Sequence, residues 1–227
     1  MYQHQKESFA AQFGRKPQFI FSAPGRTEIG GNHTDHQHGC VMAAAVNREA
    51  VAAVAENGTM IVRLFSEGYG LLQVDISDLT VHPEELNSTP ALIRGVAAKF
   101  QAYGLRGFDA YVTSTVLSGS GLSSSAAFEV LVGVIFNQLT NAGKNAIEIA
   151  QIGQYAENVY FGKPCGLMDQ MASSVGNLIT IDFFDKENPV IESVDFDFSA
   201  CGHALCIIDS GADHADLTDE YAAVPGE

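Results

Sequence analysis

The sequence predicts an α+β domain. Three observations carry that reading. Segments with strand alternation and segments with helical spacing follow one another in mixed order, not in the strict strand–helix–strand rhythm of a doubly wound parallel sheet. Hydrophobic residues make up 46% of the 227 positions, enough for the core of one large domain. No internal repeat or low-complexity linker divides the chain.

In chain order, Tyr2 to Phe13 reads as a short helix with Phe9 and Phe13 on one face, ended by Gly14. Gln18 to Ala23 alternates as a strand, and Pro24-Gly25 is expected to break it. Arg26 to Gly39 is strongly polar and lies between two apolar segments. Its Asn32, His33, Thr34, Asp35 and His36 are groups that hydrogen-bond hydroxyls, which suits a sugar better than an apolar ligand. The same segment also reads as a solvated loop, and its histidines at 33, 36 and 38 as metal ligands without a further clear set.

Cys40 to Val54 is Ala- and Val-rich, as in a buried strand. Thr59 to Phe65 and Leu71 to Ile76 read as a hairpin turned at Glu67-Gly68-Tyr69-Gly70. Thr89-Pro90 starts a helix, with Thr89 as cap and Pro90 at the first helical position. Its apolar face runs through Leu92, Ile93, Val96, Phe100 and Tyr103 until Gly104 stops it. Phe108 to Val116 alternates as a strand and delivers the stretch around which the chain is organised, Leu117 to Leu131.

There Gly119 and Gly121 permit a close bend. Ser123, Ser124 and Ser125 each offer a cap or a hydroxyl, and Phe128, Leu131, Val132, Ile135 and Leu139 recur at helical spacing. Such a loop feeding a helix N-terminus suits an anion such as phosphate. It is not a Walker loop, because no Gly-Lys-Ser/Thr follows the glycines. A tight turn with a well-capped helix accounts for the same residues, and on this stretch alone both readings stand.

Ala146 to Tyr160 is expected to be a further helix, carrying Glu148 and Glu157. Cys165 to Gln170 follows a Gly162-Lys163-Pro164 turn and places Asp169 near the start of a helix through Ser174. Asn177 to Asp182, Val190 to Phe196 and Ala204 to Asp209 read as strands, and the acidic segment from Asp213 is unassigned.

The net charge of −15, with only 12 basic residues, argues against nucleic acid or an anionic membrane as the main partner. It leaves room for a phosphate ligand held by backbone N–H groups and a metal. No apolar run approaches the roughly 20 residues that span a bilayer. The N-terminus lacks a signal-peptide layout. Cys40, Cys165, Cys201 and Cys206 have no zinc spacing and read as reduced, buried thiols of a cytoplasmic protein.

Three segments together carry a resemblance. Pro24-Gly25-Arg26-Thr27-Glu28-Ile29-Gly30-Gly31-Asn32-His33-Thr34-Asp35 resembles the signature of galactokinases. Gly119-Ser120-Gly121-Leu122-Ser123-Ser124-Ser125-Ala126-Ala127 is similar to the ATP-binding loop of the wider GHMP small-molecule kinases. Cys165-Gly166-Leu167-Met168-Asp169-Gln170 resembles the segment that carries their catalytic aspartate. The likeness implies the GHMP kinase N-terminal fold, which resembles the ribosomal protein S5 domain 2-like fold. Residues 1–203 would form that domain, and 204–227 the start of a truncated C-terminal one. One residue departs from the signature: Asn32 stands where galactokinases usually carry Glu.

The resemblance implies ATP-dependent phosphorylation of the C1 hydroxyl of galactose, a step of galactose catabolism. Asp169 and Arg26 would be catalytic. Asn32, His33, Asp35, Gly166 and Tyr221 would bind the sugar, Tyr221 by its place seven residues after His214. Gly119, Ser120, Gly121, Leu122, Ser123, Ser124 and Ser125 would hold ATP. Ser125 and Glu157 would ligate Mg²⁺. The implied partners are a small sugar and ATP, with a monomer favoured. Asn32 keeps open a kinase for another sugar such as N-acetylgalactosamine. A sensor that binds galactose and ATP without turnover is the reading from a different class, and the activity of this chain by itself is left open.

Overall fold

The computed structural model describes residues 2–31, 34–117 and 119–208. Its axis is β2, Cys40–Glu56, a 17-residue strand whose Ala and Val side chains suit burial on both faces. β1, Phe19–Gly30, runs antiparallel along it from Phe19↔Val54 to Gly30↔Met42. The C-terminal half of β2 pairs β5, Phe108–Ser114, and its N-terminal half pairs β6, Leu178–Asp182. β3, Ile61–Ser66, forms a hairpin with β4, Gly70–Asp75, and lies parallel to β5. β7, Val190–Ser193, closes the far edge, giving a seven-stranded mixed sheet in the order β4-β3-β5-β2-β6-β7, with β1 on β2.

The two-residue period of the strands sorts the core. Ala52, Val54, Ala110 and Val112 pack with Ile93 and Val96 of α2 (Thr89–Ala98), Leu131 and Ile135 of α3 (Ser124–Thr140), and Ile149 of α4 (Ala146–Tyr155). The alternate residues Ala53, Ala55 and Tyr111 pack with Phe9 of α1 (Gln3–Phe13). Phe9 and Phe13 meet at 4.9 Å between ring centroids, one turn apart. Near Tyr111, the fully buried Asp109 accepts from Arg63 at 2.7 and 2.8 Å, from Arg15 at 2.8 Å and from Asn57 at 3.0 Å. Burial opposes its charge, but these donors outweigh burial and hold the carboxyl below its ordinary range.

Several expectations are corrected. Pro24-Gly25 does not end β1. The strand continues to Gly30 across a register shift between Pro24 and Arg26, where residues 46–48 of β2 stand opposite Gly25 alone. The cap of α2 is Ser88, with Thr89 as the first helical residue. The predicted helix through Tyr160 divides into α4 and a π-helical segment, Ala156–Phe161. β7 stops at Ser193, and 203–208 is irregular rather than a strand. Cys40, Cys201 and Cys206 are exposed and Cys165 half-buried, all as free thiols, so only their reduced state matches the reading. No helix of the described residues is long and apolar enough to cross a membrane.

Candidate active site

Arg26 sits on β1 just past the register shift, and its guanidinium reaches two other elements. Nε and Nη2 donate to Oδ1 and Oδ2 of Asp169 at 2.7 and 2.8 Å, a two-pronged fork. Nη1 donates to the carbonyl of Gly121 at 2.8 Å. Asp169 lies in the first turn of α5, Met168–Val175, and also accepts from the Ser123 hydroxyl. It does not cap its helix. Burial disfavours its charge, but Arg26, its hydrogen bonds, the Ser123 hydroxyl and Lys163 together prevail. The carboxyl is held below its ordinary range and stays ionised at neutral pH.

The glycine–serine loop lies against this fork. A Cβ on Gly25 would meet the Leu122 carbonyl at 2.9 Å, so glycine is what lets β1 and the loop touch. The Arg26 N–H donates to that same carbonyl at 3.0 Å. Leu122 points its side chain inward against Val116 and Ala127, leaving its backbone as the part that could face a ligand. Gly119 and Gly121 take positive φ, as does Ser123 at 55°, a strained value for a residue with a Cβ. Ser123 occupies the cap position of α3 without a side-chain capping bond, and the Ser120 hydroxyl folds back onto the Leu117 carbonyl at 2.6 Å. The serine cap of the alternative, capped-turn reading is therefore absent at this position. The first-turn N–H groups have no capping side chain at the end of the helix that favours an anion.

Behind the loop, Ser125 donates to Oε1 of Glu157 at 3.5 Å. Glu157 is buried at the start of the π-helical segment, a distortion that often marks functional positions. Burial raises its pKa, reinforced by the charge of Asp169 and countered by Lys163, 3.8 Å from Oε1, by Cys165 and by Gln170. Ser125 and Glu157 offer two hard oxygens. They lie 3.5 Å apart, and a hydroxyl with a carboxylate is a donor set of the kind Mg²⁺ takes. No cluster of three or more His, Cys, Asp or Glu ligands occurs among the described residues.

On the other side, Asp35 lies in a 3₁₀ turn, Thr34–Gln37, pinned by the Thr34 hydroxyl on the Gly31 carbonyl at 2.7 Å. It packs so tightly on Gly166 that a Cβ there would lie 1.8 Å from its Oδ2. Both line a cavity of about 180 Å³ with Gln154, Cys165, Leu167, Phe183 and Lys186. A wider groove of about 600 Å³ between α1 and β1 is lined by none of these residues. Arg26, Asp169, Ser123 and Gly121 are thus in contact, as are Ser125 with Glu157 and Asp35 with Gly166. Asn32, His33 and Tyr221 lie outside the described residues.

Sequence reasoning missed Gln170, Glu129 and Lys163. Glu129 could have been found: it is a charged residue within the apolar run Ala126-Ala127-Phe128-Glu129-Val130-Leu131.

Residues 7–56 match the family model for the galactokinase galactose-binding signature, and residues 91–177 that for the GHMP kinases N-terminal domain. The chain belongs to the galactokinase family of GHMP kinases. It is 36% identical to a galactokinase of Streptomyces coelicolor over 217 residues, covering 95% of this chain and 56% of that protein. With a galactokinase of Bacillus subtilis it shares 34% identity over 194 residues, 80% of this chain and 49% of the relative. The chain therefore spans about half the length of the curated relatives it matches. The crystal structure of Lactococcus lactis galactokinase complexed with galactose superposes with a TM-score of 0.74 at 28% identity, over 85% of this chain and 52% of that one. Mevalonate kinase of Methanococcus jannaschii, at 16% identity and a TM-score of 0.65, shares the fold. The α+β expectation thus resolves as the mixed GHMP kinase N-terminal fold.

Proposed function

We propose that this chain carries the galactose and ATP sites of a galactokinase, which moves the γ-phosphoryl group of ATP to the C1 hydroxyl of galactose. The observation that carries the reading is the Arg26–Asp169 fork set against the glycine–serine loop at the start of α3. Residues 1–203 would form the family's N-terminal domain and 204–227 the start of its C-terminal one. An acidic chain with free cysteines suits a monomeric cytoplasmic enzyme.

In the transfer, the C1 hydroxyl oxygen bonds to the γ-phosphorus. The bond from that phosphorus to the bridging oxygen breaks, and ADP leaves. The hydroxyl proton passes to Asp169. A carboxylate held below its ordinary range is a weak base toward a resting hydroxyl. Asp169 therefore orients the hydroxyl first and takes the proton late, as the oxygen loses electron density to phosphorus. Arg26 keeps Asp169 ionised and stabilises charge in the transition state. The loop N–H groups hold the phosphates. Mg²⁺, held by Ser125 and Glu157, would neutralise phosphate charge. Asn32, His33, Asp35, Gly166 and Tyr221 would hold the sugar hydroxyls.

The test is ADP release with ATP, Mg²⁺ and a panel of galactose, N-acetylgalactosamine, glucose and mevalonate, on this chain and on the longest chain its gene encodes. Release with galactose alone is expected. Release with N-acetylgalactosamine instead would replace galactose by an amino sugar as the substrate. Galactose binding with no ADP release from either chain would overturn the kinase reading in favour of a sensor.

A further inference from the structure

Beneath the loop lies a polar cluster that neither the family signatures nor the reading above explains. Glu129 and Gln170 are buried, 0% and 1% exposed, among apolar neighbours on α3 and α5. The Gln170 Nε2 donates to Oε2 of Glu129 and to Oε2 of Glu157, each at 2.9 Å. Its two amide hydrogens are directed at these carboxyl oxygens, with the Cys165 Sγ a more distant neighbour of the same nitrogen at 3.7 Å. Gly153 of α4 lets the cluster pack: a Cβ there would lie 3.2 Å from both Glu129 and Gln170.

The arrangement is costly for a scaffold. Among the described residues, Oε1 of Glu129 and Oε1 of Gln170 are buried without a partner. A buried acceptor left without a partner loses its hydration and gains nothing in return. The neighbours Ala126, Ala127, Val130 and Leu131 show that α3 packs well with apolar residues here. What the polar pair does is local. It takes one oxygen of Glu157, leaving the other toward Ser125.

We propose that Gln170 and Glu129 are positioning residues: the Gln170 amide, braced by Glu129, sets the Glu157 carboxylate so that Oε1 faces Ser125. Because Gln170 follows Asp169 on the first turn of α5, the same helix end orients the sugar hydroxyl's acceptor and the metal carboxylate. This rests on the reading of Glu157 and Ser125 as metal ligands.

The experiment measures Mn²⁺ affinity by electron paramagnetic resonance in the presence of a non-hydrolysable ATP analogue, on this chain and on the longest chain its gene encodes. Metal-free analogue and galactose affinities are measured in parallel by calorimetry with EDTA. Gln170→Met, of similar volume, should weaken Mn²⁺ binding roughly 10–100-fold, the usual effect of losing a partner that orients a ligand. The two metal-free affinities should stay within about threefold, since the amide touches neither ligand. Glu129→Leu, which removes the brace, should do the same. Glu129→Gln, which keeps an acceptor for the amide, should recover most of that loss. A merely structural role would lower all three affinities together or leave Mn²⁺ untouched. If Glu157→Gln loses Mn²⁺ while Gln170→Met and Glu129→Leu keep it, the positioning role is overturned and the metal reading survives. If Glu157→Gln also keeps Mn²⁺, or neither native chain takes it up with the analogue, the metal reading itself falls and takes this inference with it.

Discussion

Replacing Asp169 by Asn tests the reaction centre most directly, because the change is nearly isosteric and its cost can be worked from the contacts. Asp169 accepts two bonds from Arg26, at 2.7 and 2.8 Å, and one from Ser123. The best placement of an Asn keeps its oxygen toward Nε and turns its NH₂ toward Ser123, whose hydroxyl can accept instead. Nη2 then loses its acceptor. One charge-assisted bond is worth about 1.5–3 kcal/mol. The Asp169 side chain is 34% exposed, so water replaces part of the loss. A stability decrease of about 1–2 kcal/mol follows, or a few degrees in Tm. Turnover should fall much further. The variant cannot take the proton, and loss of a positioned acid–base group costs roughly 10²–10⁴-fold. Galactose affinity, carried by the neighbouring loop, should change by less than about threefold, well short of the 1.4 kcal/mol that a tenfold change represents. ADP release gives turnover, calorimetry gives galactose affinity, and scanning calorimetry gives Tm. Turnover within tenfold of native, with galactose still bound, would rule out Asp169 as the proton acceptor.

Three further outcomes are expected. Asp35→Ala should weaken galactose chiefly in affinity, and Gly166→Ala should do so at least tenfold, because its Cβ would displace the Asp35 carboxylate; calorimetry showing native affinity in both would mean that the sugar loop is elsewhere. Asp109→Ala should lower stability by about 2–3 kcal/mol, at or below the low end for a broken buried pair, since Arg15 and Arg63 are 38% and 43% exposed and can turn to water; denaturant melts with a native midpoint would refute this. The folded pKa of Asp109 is depressed, so its contribution is present above the unfolded value of about 3.9 and is lost as pH falls through the folded value; acid-unfolding curves should show the wild type's advantage over Asp109→Ala shrinking across that window and not near neutrality.

Much of the fold was legible because its signals are periodic. The alternation through Phe108 to Val116 and the helical spacing from Phe128 to Leu139 each survive as β5 and α3. The failures have local physical causes. Pro24-Gly25 reads as a stop because proline lacks an N–H, yet proline is tolerated in a strand beside an irregularity of pairing, and the register shifts immediately after it. The π-helical segment was invisible because Ala156 to Phe161 keeps helical composition, while the wider turn is a matter of hydrogen-bond register. The serine run also allowed a capped-turn alternative because serine usually caps. Here Ser123 sits at φ 55° and spends its hydroxyl on Asp169, a partner 46 residues away that local sequence cannot show.

The misread break is also what assembles the site. A loop beginning at Pro24 would leave Arg26 free to move with solvent. As a continuing strand, that segment is clamped on both sides: Ser173 of α5 donates to the Pro24 carbonyl at 2.7 Å, and the Arg26 N–H donates to Leu122 at 3.0 Å. The guanidinium is thus placed before it makes any functional contact, and its fork then ties residue 26 to Gly121, 95 positions on, and to Asp169, 143 positions on. Three motifs that look independent in the sequence form one unit because a continuing strand, rather than a loop, carries the first of them. Preorganisation of this kind is what phosphoryl transfer asks of a protein, since the chemistry consists mainly of holding charges in place.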